Sequence, residues 1–363
     1  MKPRIKIQRH FAAALFSAFI LSLMLSACVN IGGNNSTTPK YNTGYGFLTV
    51  DIKPIMPGNV IYIDSLQQNV NVLAQVYNDM YMPANNVQIK ATNYNNNAIS
   101  LDSFNSITDS QKTLQGYTQD YGARDMGVLQ ASVIARTVRN QPYAANINFF
   151  ACADAKTLYS GTVCLAPADA SQKYEKTCTP GSQSVTGGQG APIAVTSIKT
   201  LDAASTVTFI ITVVNKGNGL VYRKGTQDSC TYISQQDAGY LTMDYLKVGG
   251  KELTGCSNKE GRLNFEQAYQ KNAAATFTCT VDRSMLNIGT TQSTVKESIT
   301  AQFSYSYDEQ LASQNILIKN APGYTYSTDD YNNAIGRSGS APGTYTGSGE
   351  TPSSPTASVT ADG

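Results

Sequence analysis

At 363 residues the chain is long enough for two domains of ordinary size, and with a formal net charge of +2 and 14% charged residues it offers no long-range attraction to nucleic acid or an anionic membrane surface. Its sole histidine is His10, it has no tryptophan, and its solubility must rest on Asn, Gln, Ser, Thr and Tyr.

In chain order, Lys2, Arg4, Lys6 and Arg9 precede an apolar run from Phe11 to Leu25, closed by Leu25-Ser26-Ala27-Cys28. A positive n-region, an apolar stretch and small residues before a cut are the parts of a secretory signal peptide. An uncleaved span would need about 20 apolar residues, more than this run supplies. The cysteine directly after Ala27 makes the leader resemble the lipobox of prokaryotic lipoproteins. That resemblance implies cleavage before Cys28, a diacylglyceryl group on its thiol, and a lipid-anchored protein on the extracytoplasmic side of the cell membrane. Losing residues 1–27 leaves 23 Lys+Arg against 25 Asp+Glu, a formal charge of −2. It also removes His10, so the mature chain has no Ser-His-Asp or Cys-His mechanism and no histidine-ligated zinc or iron.

Residues 28–45 read as a polar, glycine-containing tether, with sequons open to glycosylation at Asn34 and Asn35. Residues 46–151 are expected to form a first β-sandwich unit. Within it Val70, Val72, Ala74 and Val76 alternate with polar partners, as do Val87-Gln88-Ile89-Lys90-Ala91 and Leu129, Ala131, Val133 and Ala135. This period of two marks half-buried strands, and Ala145–Phe150 reads as the last of them. Residues 152–192, with three cysteines and Gly187-Gly188-Gln189-Gly190, read as a disulfide-pinned connector. A second unit over 193–320 opens at Ile193-Ala194-Val195. It continues with Val207, Phe209, Ile211 and Val213, then Thr276-Phe277-Thr278-Cys279. It ends in two strands, one holding Ile299, Ala301, Phe303, Tyr305 and Tyr307 and the other Ile316-Leu317-Ile318. Each unit has a strand that ends in Val-x-Asn, at Asn78 and Asn215. Helix is scarce, and residues 321–363 degrade into a Gly/Ser/Thr/Pro tail expected to be disordered. The fold class is therefore all-β, two tandem Ig-like sandwich units between flexible ends.

Assigning Cys28 to lipid leaves six cysteines, Cys152, Cys164, Cys178, Cys230, Cys256 and Cys279, an even set suited to disulfides in an exported chain. Zinc is the competing account of clustered cysteines, but the sequence has no Cys-x-x-Cys pair. Sequence leaves the pairing open; a hairpin closed by Cys152 and Cys164 is the expectation for one bridge. Three of the six precede residue 190 and three follow it, so full pairing needs at least one bridge across that divide.

Phe149–Pro167, Gly187–Val195 and Val213-Val214-Asn215-Lys216-Gly217-Asn218-Gly219, in this order, resemble a group of uncharacterised exported β-rich archaeal surface proteins. The Val-x-Asn-x-Gly turn is also similar to that of adhesion-type Ig-like domains. The resemblance spans roughly residues 60–320 and implies a surface fold, with no catalytic or binding residues to carry over. The first unit departs from it, with Asp79-Met80 where the second has Lys216-Gly217.

No nucleophile elbow, phosphate-binding loop or dinucleotide fingerprint occurs. A carboxylate pair suits glycoside hydrolysis, but no spacing singles out two acids. Asp329-Asp330-Tyr331-Asn332-Asn333 groups oxygen donors of the kind Ca²⁺ requires, without matching an EF-hand loop, and reads as a solvated turn. Tyr305 and Tyr307 share a strand face and suit either an interface or core-edge packing. The expectation is a non-enzymatic protein without cofactor or metal. It acts through a surface or envelope protein partner in adhesion, envelope structure or assembly. The alternative is a lipoprotein that captures a ligand for a transporter or enzyme.

Overall fold

The computed structural model describes residues 44–53, 59–92, 98–101, 104–106, 112–117, 124–137, 142–167, 176–226, 236–264, 271–286 and 293–324. Their strands, in chain order, are β1 (Leu48–Ile52), β2 (Val60–Ile63), β3 (Gln67–Asn78), β4 (Asn85–Thr92), β5 (Ile99–Leu101) and β6 (Asn105–Ser106). There follow β7 (Met126–Arg136), β8 (Tyr143–Leu165), β9 (Ser182–Ser184), β10 (Ile193–Asp202), β11 (Thr206–Asn215) and β12 (Leu220–Tyr222). The last are β13 (Tyr240–Val248), β14 (Lys251–Glu252), β15 (Glu260–Arg262), β16 (Ala274–Asp282) and β17 (Val295–Asn320). The described residues hold no α-helix; a 3-10 turn spans Arg283–Leu286. The fold is all-β, as the period-two patterning requires.

Three sheets result. The first is five-stranded, ordered β1-β3-β7-β5 with β6 also on β7; the third is four-stranded, β16-β11-β10-β9. Interleaved with both in sequence and packed against both in space is an eight-stranded sheet, β14-β13-β17-β8-β4, to which β2, β12 and β15 add. Its spine is the antiparallel pair β8–β17, 23 and 26 residues long and registered from Val295↔Leu165 to Ile318↔Tyr143. The odd-numbered residues of β8 face the apolar interior. At one end Phe149 meets Phe104 of the first sheet's side, ring centroids 5.9 Å apart. At the other, Thr157 Oγ1 donates to the Ile193 carbonyl of the third sheet at 2.8 Å. Phe277 on β16 tilts against Phe303 on β17 at 5.1 Å, and Phe47 packs edge-on to Tyr307 at 4.8 Å. The two smaller sheets thus lie side by side on one face of the large one, a sandwich-like arrangement with a continuous core.

Several expectations change. The strand expected to end at Phe150 runs on to Leu165, so the boundary at residue 152 falls inside β8, and the connector is strand for its first fourteen residues. The two closing strands of the second unit are one, β17, with a bulge between Gln310 and Ala312 that shifts the buried set from odd to even positions. Tyr305 and Tyr307 are fully buried, so core packing is their role and the interface reading falls. Cys164 pairs with Cys178, not Cys152, and Cys256 pairs with Cys279. Cys152 and Cys164 lie on one strand, too far apart along it to meet. Cys152 is itself disulfide-bonded. Cys28, Asn34, Asn35, Cys230, the tail beyond residue 324 and the acidic stretch at 329–333 lie outside the described residues.

Candidate functional site

β3 and β11 are the central strands of the two smaller sheets, and each ends in a buried asparagine that organises the turn after it. Asn78 Oδ1 accepts from the Met80 N–H at 2.9 Å, and its Nδ2 lies 2.9–3.1 Å from the carbonyls of Met82, Leu114 and Gln115. Asn215 Oδ1 accepts from the Gly217 N–H at 3.1 Å, and Nδ2 donates to the Gly219 carbonyl at 2.9 Å. The same i→i+2 and i→i+4 bonds form whether the third residue is Met80 or Gly217, so the turn does not require glycine. Gly217 is needed for a different reason: a Cβ there would lie 2.1 Å from the Tyr307 hydroxyl. That hydroxyl accepts from the Gly219 N–H at 2.8 Å and reaches Asn215 Oδ1 at 3.2 Å. Burial pushes the Tyr307 and Tyr305 phenols up, keeping both neutral.

At the middle of the β8–β17 pair the opposite, polar face is buried as well. Ala151 to Ala155 and Phe303 to Asp308 are buried without a break, although their sequence still alternates apolar and polar. Asp154 Oδ1 accepts from Ser306 Oγ at 2.5 Å and from the Gly225 N–H at 3.4 Å. Its Oδ2 accepts from Asn86 Nδ2 at 2.7 Å. Asn86 reaches it because the β4 bulge between Asn85 and Gln88 sets its φ at 54°, a left-handed conformation asparagine tolerates. One register step along, Lys90 Nζ pairs with Asp308 Oδ2 at 2.7 Å while lying 5.2 Å from the Phe150 ring centroid. Asp308 Oδ1 has no hydrogen-bond partner. Burial raises the Asp308 carboxyl above the ordinary range, against the opposing pull of Lys90. Further along β17, Asp244 Oδ2, set in the β13 bulge, accepts from Gln302 Nε2 at 2.6 Å and Ser304 Oγ at 2.5 Å. These carboxylates hold strands together. Among the described residues no three or more His, Cys, Asp or Glu group closely enough to hold a metal.

Two other buried polar side chains act as staples. Gln189, in the glycine cluster, donates to the Val195 carbonyl at 2.7 Å and accepts its N–H at 3.0 Å, filling the β10 bulge as a strand would. Arg283 donates to the carbonyls of Ala203 and Ala166, each at 2.6 Å, and to Asp202 Oδ1 at 2.9 Å. Burial raises the Asp202 carboxyl despite that guanidinium. None of these acids, nor Lys90, Gln189 or Arg283, is distinguishable by spacing in the sequence. The one available signal is Phe303-Ser304-Tyr305-Ser306-Tyr307-Asp308, where a long aromatic face backs onto hydroxyls and a carboxylate.

The outward faces of the smaller sheets offer surface for contact. On the first, Tyr77 stands opposite Met126, Gln75 opposite Val128 and Leu73 opposite Gln130; Leu73 and Met126 are about two-fifths exposed, at 40% and 42%. On the third, Thr208 faces Thr280 with hydroxyls 2.9 Å apart, and Thr212 faces Thr276. No helix among the described residues is long and apolar enough to cross a membrane.

No family model matches the chain, and no curated protein does. Among solved structures, the C-terminal domain of the Streptococcus agalactiae AgI/II polypeptide BspA is 9% identical and covers 75% of this chain and 98% of that one, with a TM-score of 0.15. A chain titled BspA_C_mut is 7% identical and covers 76% and 99%, with a TM-score of 0.14. At such scores the likeness carries no argument about fold or function.

Proposed function

We propose that this chain is an exported, lipid-anchored protein that works at the cell surface through contacts made by its sheet faces, in adhesion, envelope structure or assembly. The observation that carries the reading is the state of the cysteines. Every described one, Cys152, Cys164, Cys178, Cys256 and Cys279, is in a disulfide. Such bonds persist in oxidising, extracytoplasmic compartments. The leader ending at Ala27 gives the route and Cys28 the attachment point. The surface offered to a partner protein is the apolar–polar outer face around Leu73, Tyr77 and Met126, where Leu73 and Met126 on paired strands are exposed.

Metabolic labelling with radioactive fatty acid tests the anchor. The wild type takes up label and partitions with membranes, whereas Cys28→Ala does neither; equal membrane extraction of both forms would sink the anchor. The contact role is tested by crosslinking on intact cells, where Leu73→Asp with Met126→Asp lowers the yield of the crosslinked partner without changing Tm. A reproducible thermal-shift rise with a soluble sugar, a peptide or Ca²⁺ would instead favour ligand capture.

A further inference from the structure

The two disulfides described in full differ in how the backbone presents them. Cys164 and Cys178 have Cα atoms 5.8 Å apart, inside the usual range of about 4.4–6.8 Å for a disulfide. Cys256 and Cys279 are directly opposed residues of an isolated antiparallel bridge, with Cα atoms only 3.9 Å apart, below that range. Each bridge has one buried and one half-buried cysteine, so solvent access does not separate them. The Cys256–Cys279 loop is the longer, with a sequence separation of 23 against 14. Loop length enters the entropy of closure only logarithmically, so this difference is small. Backbone geometry is what distinguishes the two bonds.

The position of the bond gives the geometry a purpose. β16 is the outermost strand of the third sheet, and its far side would be an open edge. Residues 255–257 cover it: the Thr280 N–H donates to the Gly255 carbonyl at 3.2 Å, and Ser257 Oγ donates to the Thr278 carbonyl at 3.4 Å. A Cβ at position 255 would lie 2.2 Å from the Thr280 carbonyl oxygen, so only glycine allows this approach. Cys256–Cys279 joins those two hydrogen bonds in holding residues 255–257 to the edge, while just upstream buried Leu253 donates its N–H to the Leu246 carbonyl of β13 at 2.8 Å.

We propose that Cys256–Cys279 is a reducible latch: a dithiol reductant opens it ahead of Cys164–Cys178, freeing residues 255–257 and exposing the β16 edge. The reductant's thiolate attacks the half-buried Cys256 sulfur, the S–S bond breaks, and Cys279 leaves as a thiolate that takes up a proton. The reductant's second thiol then displaces Cys256 and closes its own disulfide, so two electrons pass from dithiol to protein and two protein thiols result. Geometry outside the usual range makes a disulfide more reducible, and the second bridge provides a reference within the same chain.

The test is a titration of the full chain with dithiothreitol, quenched by alkylation and read by peptide mass spectrometry. Cys256 and Cys279 are expected to be half-alkylated at a dithiothreitol concentration at least tenfold lower than Cys164 and Cys178. Simultaneous reduction, or Cys164–Cys178 opening first, overturns the latch. Amide hydrogen exchange at Thr280 reads the cover. It is expected to speed up once Cys256–Cys279 alone is reduced, and likewise in a Cys256→Ser, Cys279→Ser variant with wild-type circular dichroism. Unchanged Thr280 exchange in the selectively reduced wild type overturns the exposed edge even if the variant does not fold.

Discussion

Asn78 and Asn215 perform the same task at the ends of two different central strands, each closing a turn with backbone bonds that no apolar side chain replaces. Removing either amide takes a hydrogen bond from each carbonyl and N–H it binds, and a buried group left unsatisfied costs about 1–3 kcal/mol. Asn78→Ala and Asn215→Ala are therefore each expected to lower the unfolding free energy by about 2–3 kcal/mol, seen as a lower urea midpoint at unchanged m. A loss below half that size would mean that water replaces the amide. The buried acids make a second residue-level prediction. Desolvation raises Asp202 and Asp308 above their ordinary 3.8 and Glu309 above its 4.5. Each binds its proton more tightly folded than unfolded, so these groups add stability as pH falls from neutral through their raised values. Their gain is complete below the ordinary values. Asp308→Asn removes one share of that gain, and a plot of urea midpoint against pH is expected to be shallower for the variant than for the wild type. Identical slopes would refute the assignment. Beyond its place at the end of the Phe303–Asp308 alternation, no local signature marks Asp308 out from the other acids, because its burial comes from β8 and β12 pairing with β17, with Lys90 reaching it from β4, a tertiary event.

The β8–β17 pair works by matching small against large. Ala155 is registered to Tyr305 and Ala153 to Tyr307, so two phenol rings occupy the space that two short side chains leave. Ala153→Leu adds volume to a site with none to spare and is expected to cost about 1–3 kcal/mol, the range for an overpacked core. Chemical denaturation checks it, and a neutral result would show slack beside Tyr307. Elements like this one explain what was legible. Where alternation is unbroken, as in Val70–Val76, Leu129–Ala135 and Val207–Val213, the strands lie where the pattern puts them. Bulges defeat the pattern. In β13 the buried set passes from Leu241 and Met243 to Leu246 and Val248, and the shift at Met243/Tyr245 erases the period. In β17 a single bulge makes one strand look like two. The run from Cys152 to Leu165 is obscured differently, since burial on both faces hides which residues point inward.

At the scale of the whole molecule, the expected pair of tandem units shares a spine: β8 and β17 carry β4 from the first half and β13 from the second. Neither half keeps a complete large sheet without the other. Scanning calorimetry of the oxidised protein is accordingly expected to give one transition with van't Hoff and calorimetric enthalpies equal; two resolved peaks would show that the halves unfold separately. Disulfide partners were the least legible whole-molecule feature, because cysteine count limits the pairings while strand register decides them. One further consequence comes from β2, the short strand that joins β17 in parallel from Val60↔Leu317 to Ile63↔Asn320. β2 is the second strand from the N-terminal side, and β17 is the last described strand. A tug between those two sides of the chain therefore pulls the parallel strands lengthwise in opposite directions. The inter-strand bonds would then carry the load together in shear instead of opening one after another. Single-molecule stretching is expected to meet its highest force at this clasp, and Ile61→Pro, which breaks the pairing, to lower it. A protein tethered at one end and gripped at the other would resist at the point where its second and its last described strands meet.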